Sequence, residues 1–161
     1  MADDTVDFVV AAWSEGGVWR TERLPKRSVT SVEMLVQTLG AHVGDGGVLG
    51  LVSIAEDYFL VAKVVGSKAS VYLSDAAACV DSDLAAEILE YLELDEPDDD
   101  ELDDVIPAGD ELILQAWGVD ADEFELLAGD PDQYPDEALS ALATRLGFGE
   151  QFNAIVGAPL G

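Results

Sequence analysis

Histidine and cysteine are the side chains from which metal sites and nucleophile pairs are most often built, and this chain has one of each, His42 and Cys79. The usual tetrahedral zinc site takes three or four imidazole or thiolate ligands, so the chain alone cannot supply that set. Nothing in the sequence places His42 beside Cys79, and a lone cysteine after Ala76-Ala77-Ala78 reads as a small core residue. Gly44-Asp45-Gly46-Gly47 has the glycine content of a phosphate loop. It lacks the Lys-Ser/Thr pair that reaches phosphate and runs into a strand pattern, so it reads as a turn. Asp130, Asp132 and Asp136 suggest calcium, but an EF-hand loop needs Asp or Asn where Tyr134 stands and Gly where Pro135 stands. Helix capping explains these aspartates better. Among 34 acidic residues, carboxylate pairs for acid–base work occur almost anywhere and therefore identify nothing. No catalytic residue, metal ligand or cofactor is assigned.

The strongest local signal is electrostatic. Between Asp95 and Asp104 only Pro97 and Leu102 are not acidic, leaving Asp95, Glu96, Asp98, Asp99, Asp100, Glu101, Asp103 and Asp104. The whole chain of 161 residues carries a net charge of -27, distributed as -9 before residue 95, -8 over 95–106 and -10 beyond. It is nevertheless 49% hydrophobic with a mean hydropathy of +0.18, which excludes a disordered chain. Such a surface repels nucleic-acid phosphates and anionic lipid and attracts basic proteins over roughly 8 Å at physiological salt. Salt adaptation or solubility explains the same charge without a partner. The acidic start, Met1-Ala2-Asp3-Asp4, is unlike a secretory signal, and no apolar run reaches the roughly 18 residues of a membrane span, so a cytoplasmic protein is expected.

Stepping through the elements, the stretch from Thr5 to Trp13 is a strand apolar on both faces, and Gly16-Gly17 turns it into a second, Val18 to Leu24. Thr30 with Glu33 has capping-box spacing ahead of Val32, Leu35, Val36 and Leu39, a short amphipathic helix stopped at Gly40. Three strands follow, Val48 to Ile54, Tyr58 to Val65 and Ser70 to Leu73, and then a helix with Leu84, Ile88, Tyr91 and Leu92 on one face, capped by Asp81 or Ser82. The order predicts an α+β fold, an antiparallel sheet with two helices (ββαβββα) like profilin, longin and roadblock modules. Beyond Pro107 to Gly109 the pattern is helical: Asp110 to Trp117, Asp120 to Ala128, Pro135 to Leu146 and Glu150 to Val156. The expected organisation is a sheet domain over 1–94, an acidic linker over 95–106 and a small all-α domain over 107–161. Four of the seven bases, Arg20, Arg23, Lys26 and Arg27, lie together as a charged hairpin edge or a dock for acidic groups.

The segments Gly47-Val48-Leu49-Gly50-Leu51-Val52, Glu56-Asp57-Tyr58-Phe59 and Val71-Tyr72-Leu73-Ser74-Asp75-Ala76-Ala77-Ala78, with the acidic spacer and Pro107-Ala108-Gly109-Asp110, resemble the tRNA adenosine deaminase-associated proteins of actinobacteria. The Leu-Ser-Asp-Ala-Ala-Ala stretch before an acidic spacer is the most distinctive part. The resemblance implies a place in the deaminase's pathway and assigns no catalytic residue. The chain is not itself a zinc deaminase, which needs H-x-E and P-C-x-x-C motifs, because His42 is followed by Val43-Gly44 and Cys79 has no companion.

The leading expectation is a non-enzymatic accessory protein for a basic partner, the deaminase being the candidate, with Glu56, Asp57, Tyr58, Phe59, Ser74 and Asp75 as contacts. Two other readings stay open. The acidic tether, at roughly one charge per 4 Å when extended against about 3.4 Å per phosphate of a strand, could mimic nucleic acid and compete with tRNA. A pocket between sheet and helix could serve a small-molecule sensor or enzyme. An exposed sheet edge leaves room for a homodimer.

Overall fold

The computed structural model describes residues 6–29, 31–42, 47–54, 58–66, 68–80, 82–98, 100, 107–110, 112–129 and 133–156. Six antiparallel strands form one sheet in the order β2-β1-β3-β4-β5-β6. They are β1 (Val6–Glu15), β2 (Val18–Arg23), β3 (Val48–Ile54), β4 (Tyr58–Val65), β5 (Lys68–Leu73) and β6 (Ala108–Gly109). Helices α1 (Val32–Gly40) and α2 (Asp83–Tyr91) lie in the first part of the chain, and α3 (Ala121–Ala128), α4 (Pro135–Leu146) and α5 (Gly149–Val156) in the last. The molecule is α+β. The hairpin of β1 and β2 turns through Gly16 and Gly17 at φ +59° and +84°, the paired left-handed conformations that a tight turn between twisted strands demands.

Side chains alternate across a strand, and both alternating sets here are apolar. Val9 and Ala11 of β1, Val52 and Ile54 of β3, and Leu60 and Ala62 of β4 pack with Leu35 and Leu39 of α1 and Leu84 and Ile88 of α2. Gly50 of β3 lets α1 settle closely, since a Cβ there would stand 2.8 Å from Leu39 Cδ1. The opposite set, Phe8, Val10, Leu49, Leu51, Val61 and Tyr72, packs with Phe124 of α3, Leu139 and Leu142 of α4, and Phe148 and Phe152 near and in α5. The last third of the chain is thus the cover of the sheet's second face. All seven residues of β3 are buried as a result. Exposing those six sheet side chains at roughly 1.5–3 kcal/mol each would cost about 9–18 kcal/mol, as much as the usual net stability of a domain.

Strand ends shift by a residue or two, as in β5, which starts at Lys68 rather than Ser70, and the larger departures lie after the acidic run. The segment after the acidic run is not purely helical: Ala108 and Gly109 extend the sheet by pairing with Leu73 and Tyr72. Gly109 has φ +112°, and a Cβ there would lie 2.2 Å from the Val71 carbonyl oxygen, so only glycine fits. The helix expected over Asp110 to Trp117 is reduced to turns and a 3-10 turn, Gln115–Trp117. Asp110 Oδ1 accepts the Leu112 N–H at 2.9 Å, a local bond that competes with a helical turn, while Ile113 and Leu114 both go into the core.

Helix ends follow side-chain chemistry. Ser82 caps α2 by accepting the Ala85 N–H at 3.1 Å, and Asp120 caps α3 by accepting that of Glu123 at 2.8 Å. On α1 the cap is Ser31, which accepts the Met34 N–H at 3.0 Å; the expected cap Thr30 lies outside the described residues. Glu87 of α2 accepts the first α1 N–H, that of Val32, at 2.9 Å, so each helix helps to fix the other. After α2, Glu93 holds φ +59° while Leu94 N–H returns to the Leu89 carbonyl at 2.9 Å, a helix stop usually given to glycine.

Helix α2 thus packs on one face of the sheet, β6 lies at the β5 edge, and α3 to α5 pack on the other face. Asp95, Glu96, Asp98 and Asp100 of the acidic run are exposed; Asp99, Glu101, Asp103 and Asp104 lie outside the described residues.

Phe152→Ala, which removes the edge-to-face contact with Phe8 at 5.6 Å between ring centres, is expected to cost about 3–5 kcal/mol in urea unfolding. Tryptophan fluorescence and far-ultraviolet circular dichroism should report one shared transition; two separate transitions would contradict a common core. Glu93→Gly should stabilise the protein by about 0.5–1 kcal/mol by relieving the left-handed backbone, and an unchanged midpoint would refute that account.

Candidate functional site

His42 and Cys79 sit on different elements. His42 follows α1, with Nε2 2.6 Å from Glu22 Oε2 of β2, Nδ1 3.3 Å from the Thr38 carbonyl oxygen, and the Trp13 ring 4.5 Å from its own between centres. A general base needs a free nitrogen and a substrate space; here both nitrogens face protein oxygens. Cys79 is half-buried in the 3-10 turn Ala76–Val80. Among the described residues, no group of three or more His, Cys, Asp or Glu is placed to hold a metal ion.

The residues expected to meet a partner fall into three groups. Glu56 and Asp57 lie outside the described residues. Tyr58 and Phe59 begin β4 and are 2% and 5% exposed, with Tyr58 Oη 2.6 Å from Ser82 Oγ and the Phe59 ring facing the second core. Their rings hold the sheet to its covering helices. Ser74 and Asp75 are half-buried: Ser74 Oγ accepts the Phe59 N–H at 2.9 Å, and Asp75 Oδ1 accepts that of Ala77 at 3.0 Å. These bonds close the end of the β4–β5 pair and start the turn that leads to α2.

A concave surface does exist, and sequence patterning passed over it. Helices α1 and α2 leave a groove of about 460 Å³ lined by Val32, Glu33, Val36, Gln37, Glu87, Glu90 and Tyr91. Val36 and Tyr91 belong to the apolar stripes of the two helices and read as core. They instead stand at the stripe margins, where two cylinders diverge: Val36 is half-buried and Tyr91 is 45% exposed. The signal available in sequence was the company of Tyr91, namely Glu87 one turn back on the same side and Glu90 next to it.

A second hollow, about 640 Å³, lies between the β2 end and α4–α5, beside Trp19. It is occupied in part by structural bonds, since the Gln151 side-chain amide donates to the Trp19 carbonyl at 2.9 Å. Trp19 also packs on Trp117 and Phe148 at 5.7 and 4.7 Å between ring centres, and Lys63 Nζ stands 4.8 Å over Trp117. This corner seals the core.

Of the bases, Arg145 pairs with Glu123 at 2.7 Å and Arg20 with Glu15 at 3.3 Å. Their engagement leaves the acid excess of the surface standing.

Glu96, at the beginning of the acidic segment, lies within bonding reach of Cys79. Burial and then the charge and hydrogen bond of Glu96 push the Cys79 thiol above the ordinary thiol range. Since thiolate is the reactive form, the iodoacetamide rate of Cys79 should be slow at neutral pH and inflect at higher pH than that of free cysteine. Glu96→Gln should move the inflection part of the way back; an identical profile in the variant would show that Glu96 does not sit on the thiol.

The family model described as Rv3753c-like tRNA adenosine deaminase-associated protein matches residues 7–149, which takes in the sheet, the acidic segment and α3–α4. The chain is also similar to Protein Rv3753c of Mycobacterium tuberculosis (strain ATCC 25618 / H37Rv), 32% identical over 157 residues, covering 96% of this chain and 91% of that protein. No solved structure matches it, so the likeness to profilin, longin and roadblock modules rests on element order alone. No described helix is long and apolar enough to cross a membrane. The family match over the shared core and the identity along nearly the whole chain agree: this protein belongs to the Rv3753c-like tRNA adenosine deaminase-associated family.

Proposed function

We propose that the chain is a non-enzymatic, cytoplasmic accessory protein that binds a tRNA adenosine deaminase through complementary charge. The observation that carries this reading is the acid excess of a folded surface: net charge -27, with Arg20 and Arg145 already paired to acids. An enzyme that grips tRNA must present cations to its phosphates. A folded polyanion is attracted to that surface from a distance and is repelled by the tRNA itself. The family's description as deaminase-associated supports the same partner. Buried Tyr58 and Phe59 shape the sheet's packing, so the contact falls to exposed acidic surface on the helices and the acidic segment.

Titration calorimetry against the purified deaminase of the same organism tests the proposal. At low ionic strength a saturable complex is expected, weakening about tenfold or more at several hundred millimolar salt, where the screening length falls toward roughly 3–5 Å. Absence of binding at low salt overturns direct association. Binding indifferent to salt would overturn the electrostatic basis.

A further inference from the structure

We infer that the groove between α1 and α2 docks a cationic amphipathic helix of a partner protein; this rests on the reading of a basic partner and gives it a place. The groove combines an apolar floor with an acidic rim. Val36 is half-buried in it and the Tyr91 ring is 45% exposed at its wall, while Glu33, Glu87 and Glu90 stand around them, and among the described residues no base lines it. The Tyr91 side chain makes no hydrogen bond among the described residues, so its hydroxyl is available to a donor or acceptor on the occupant. Glu87 is not purely a rim charge, because one of its oxygens holds the Val32 N–H at 2.9 Å and so keeps the two walls at fixed spacing.

Geometry selects a helix over an enclosed small molecule. Both walls are helices of nine residues, about 13 Å long, and the groove opens to solvent rather than closing over a ligand. Glu33 and Gln37 on one wall, and on the other Glu87 with Glu90 and with Tyr91, are spaced by three or four residues, the repeat of one helical turn. An occupant with apolar side chains at i and i+4, flanked by Lys or Arg at the same repeat, meets floor and rim together. The walls' own charge sets the sign: an acidic or neutral amphipathic helix would leave the carboxylates unpaired at the contact. One helix in so short a groove buries less than the roughly 1,200 Å² of a standard stable interface. The site therefore confers selectivity on an encounter that long-range charge has already drawn together.

The probe is a synthetic helical peptide with Leu at i and i+4 and Lys at i+1, i+3 and i+7, titrated into isotopically labelled full-length chain, with the Lys-to-Glu peptide as its control. Amide shifts should concentrate at 33–37 and 87–91, and the Glu peptide should produce none. Tyr91→Ala should weaken the Lys peptide about tenfold. Leu126→Ala, at an 84% exposed apolar residue beside Asp122 and Glu125 on α3, should leave it unchanged. Both side chains are on the surface, and matching circular dichroism would confirm that each variant folds. Shifts spread evenly over the acidic surface, or equal loss in the two variants, overturn the groove. Self-association of the chain that disappears in Tyr91→Ala would assign the groove to a second copy and likewise overturn the proposal.

The same variants against the purified deaminase separate the two readings. Deaminase binding by the unaltered chain that is lost in Tyr91→Ala supports both. Equal deaminase binding by the two overturns the groove and spares the association. Peptide binding at the groove without any deaminase binding supports the groove and rejects the deaminase as its source.

Discussion

A sheet with apolar side chains on both faces must be covered on both, and every larger feature of this molecule answers to that requirement. Val9 and Val10, or Leu51 and Val52, are neighbours in sequence yet face opposite layers. Covering one layer only would leave the other in water at a cost comparable to the stability of a whole domain. Helices α1 and α2 close one side and α3 to α5 the other. The first two come from the loops of the sheet itself; the last three arrive from beyond the acidic segment. The acidic stretch lies in sequence between the helices that cover one face and those that cover the other.

An exposed edge strand is a hazard if it can pair with another chain. Ala108 and Gly109 cap part of the β5 edge with a short added strand, made feasible by a glycine whose missing Cβ admits the Val71 carbonyl. Dense like charge just before them in sequence disfavours local folding of that stretch. Other acids are spread over helix surfaces, and the α1–α2 groove sets three of them around an apolar floor.

Much of this was legible in the residues. The strands Val48–Ile54 and Tyr58–Val65 are bounded by turn residues and read correctly at both ends. Ser82, one of two cap candidates before α2, is the cap. The apolar character of both faces of β1 indicated a covered strand. What covered it was not legible, because Leu139, Leu142 and Phe152 form ordinary amphipathic helix patterns that would suit a separate bundle equally well. Asp110 to Trp117 carried helical spacing, yet the Asp110 side chain makes a turn and the sheet takes the preceding residues. Tyr58 and Phe59 read both as the start of a strand and as contacts for a partner beside Glu56 and Asp57; their register on β4 sends one ring into each core.

The sequence by itself determined most element types, the charge and the count of a single histidine and a single cysteine, because these depend on local periodicity and on counting side chains. Family membership was legible for a related reason, since the segments that carry it are continuous in the chain. Only the tertiary structure decided that residues 107–156 complete the sheet's second face, that Tyr58 and Phe59 are buried, and that Val36 and Tyr91 stand open in an acid-rimmed groove. Each of these depends on which surfaces meet, and an apolar stripe specifies that it must be covered without specifying by what.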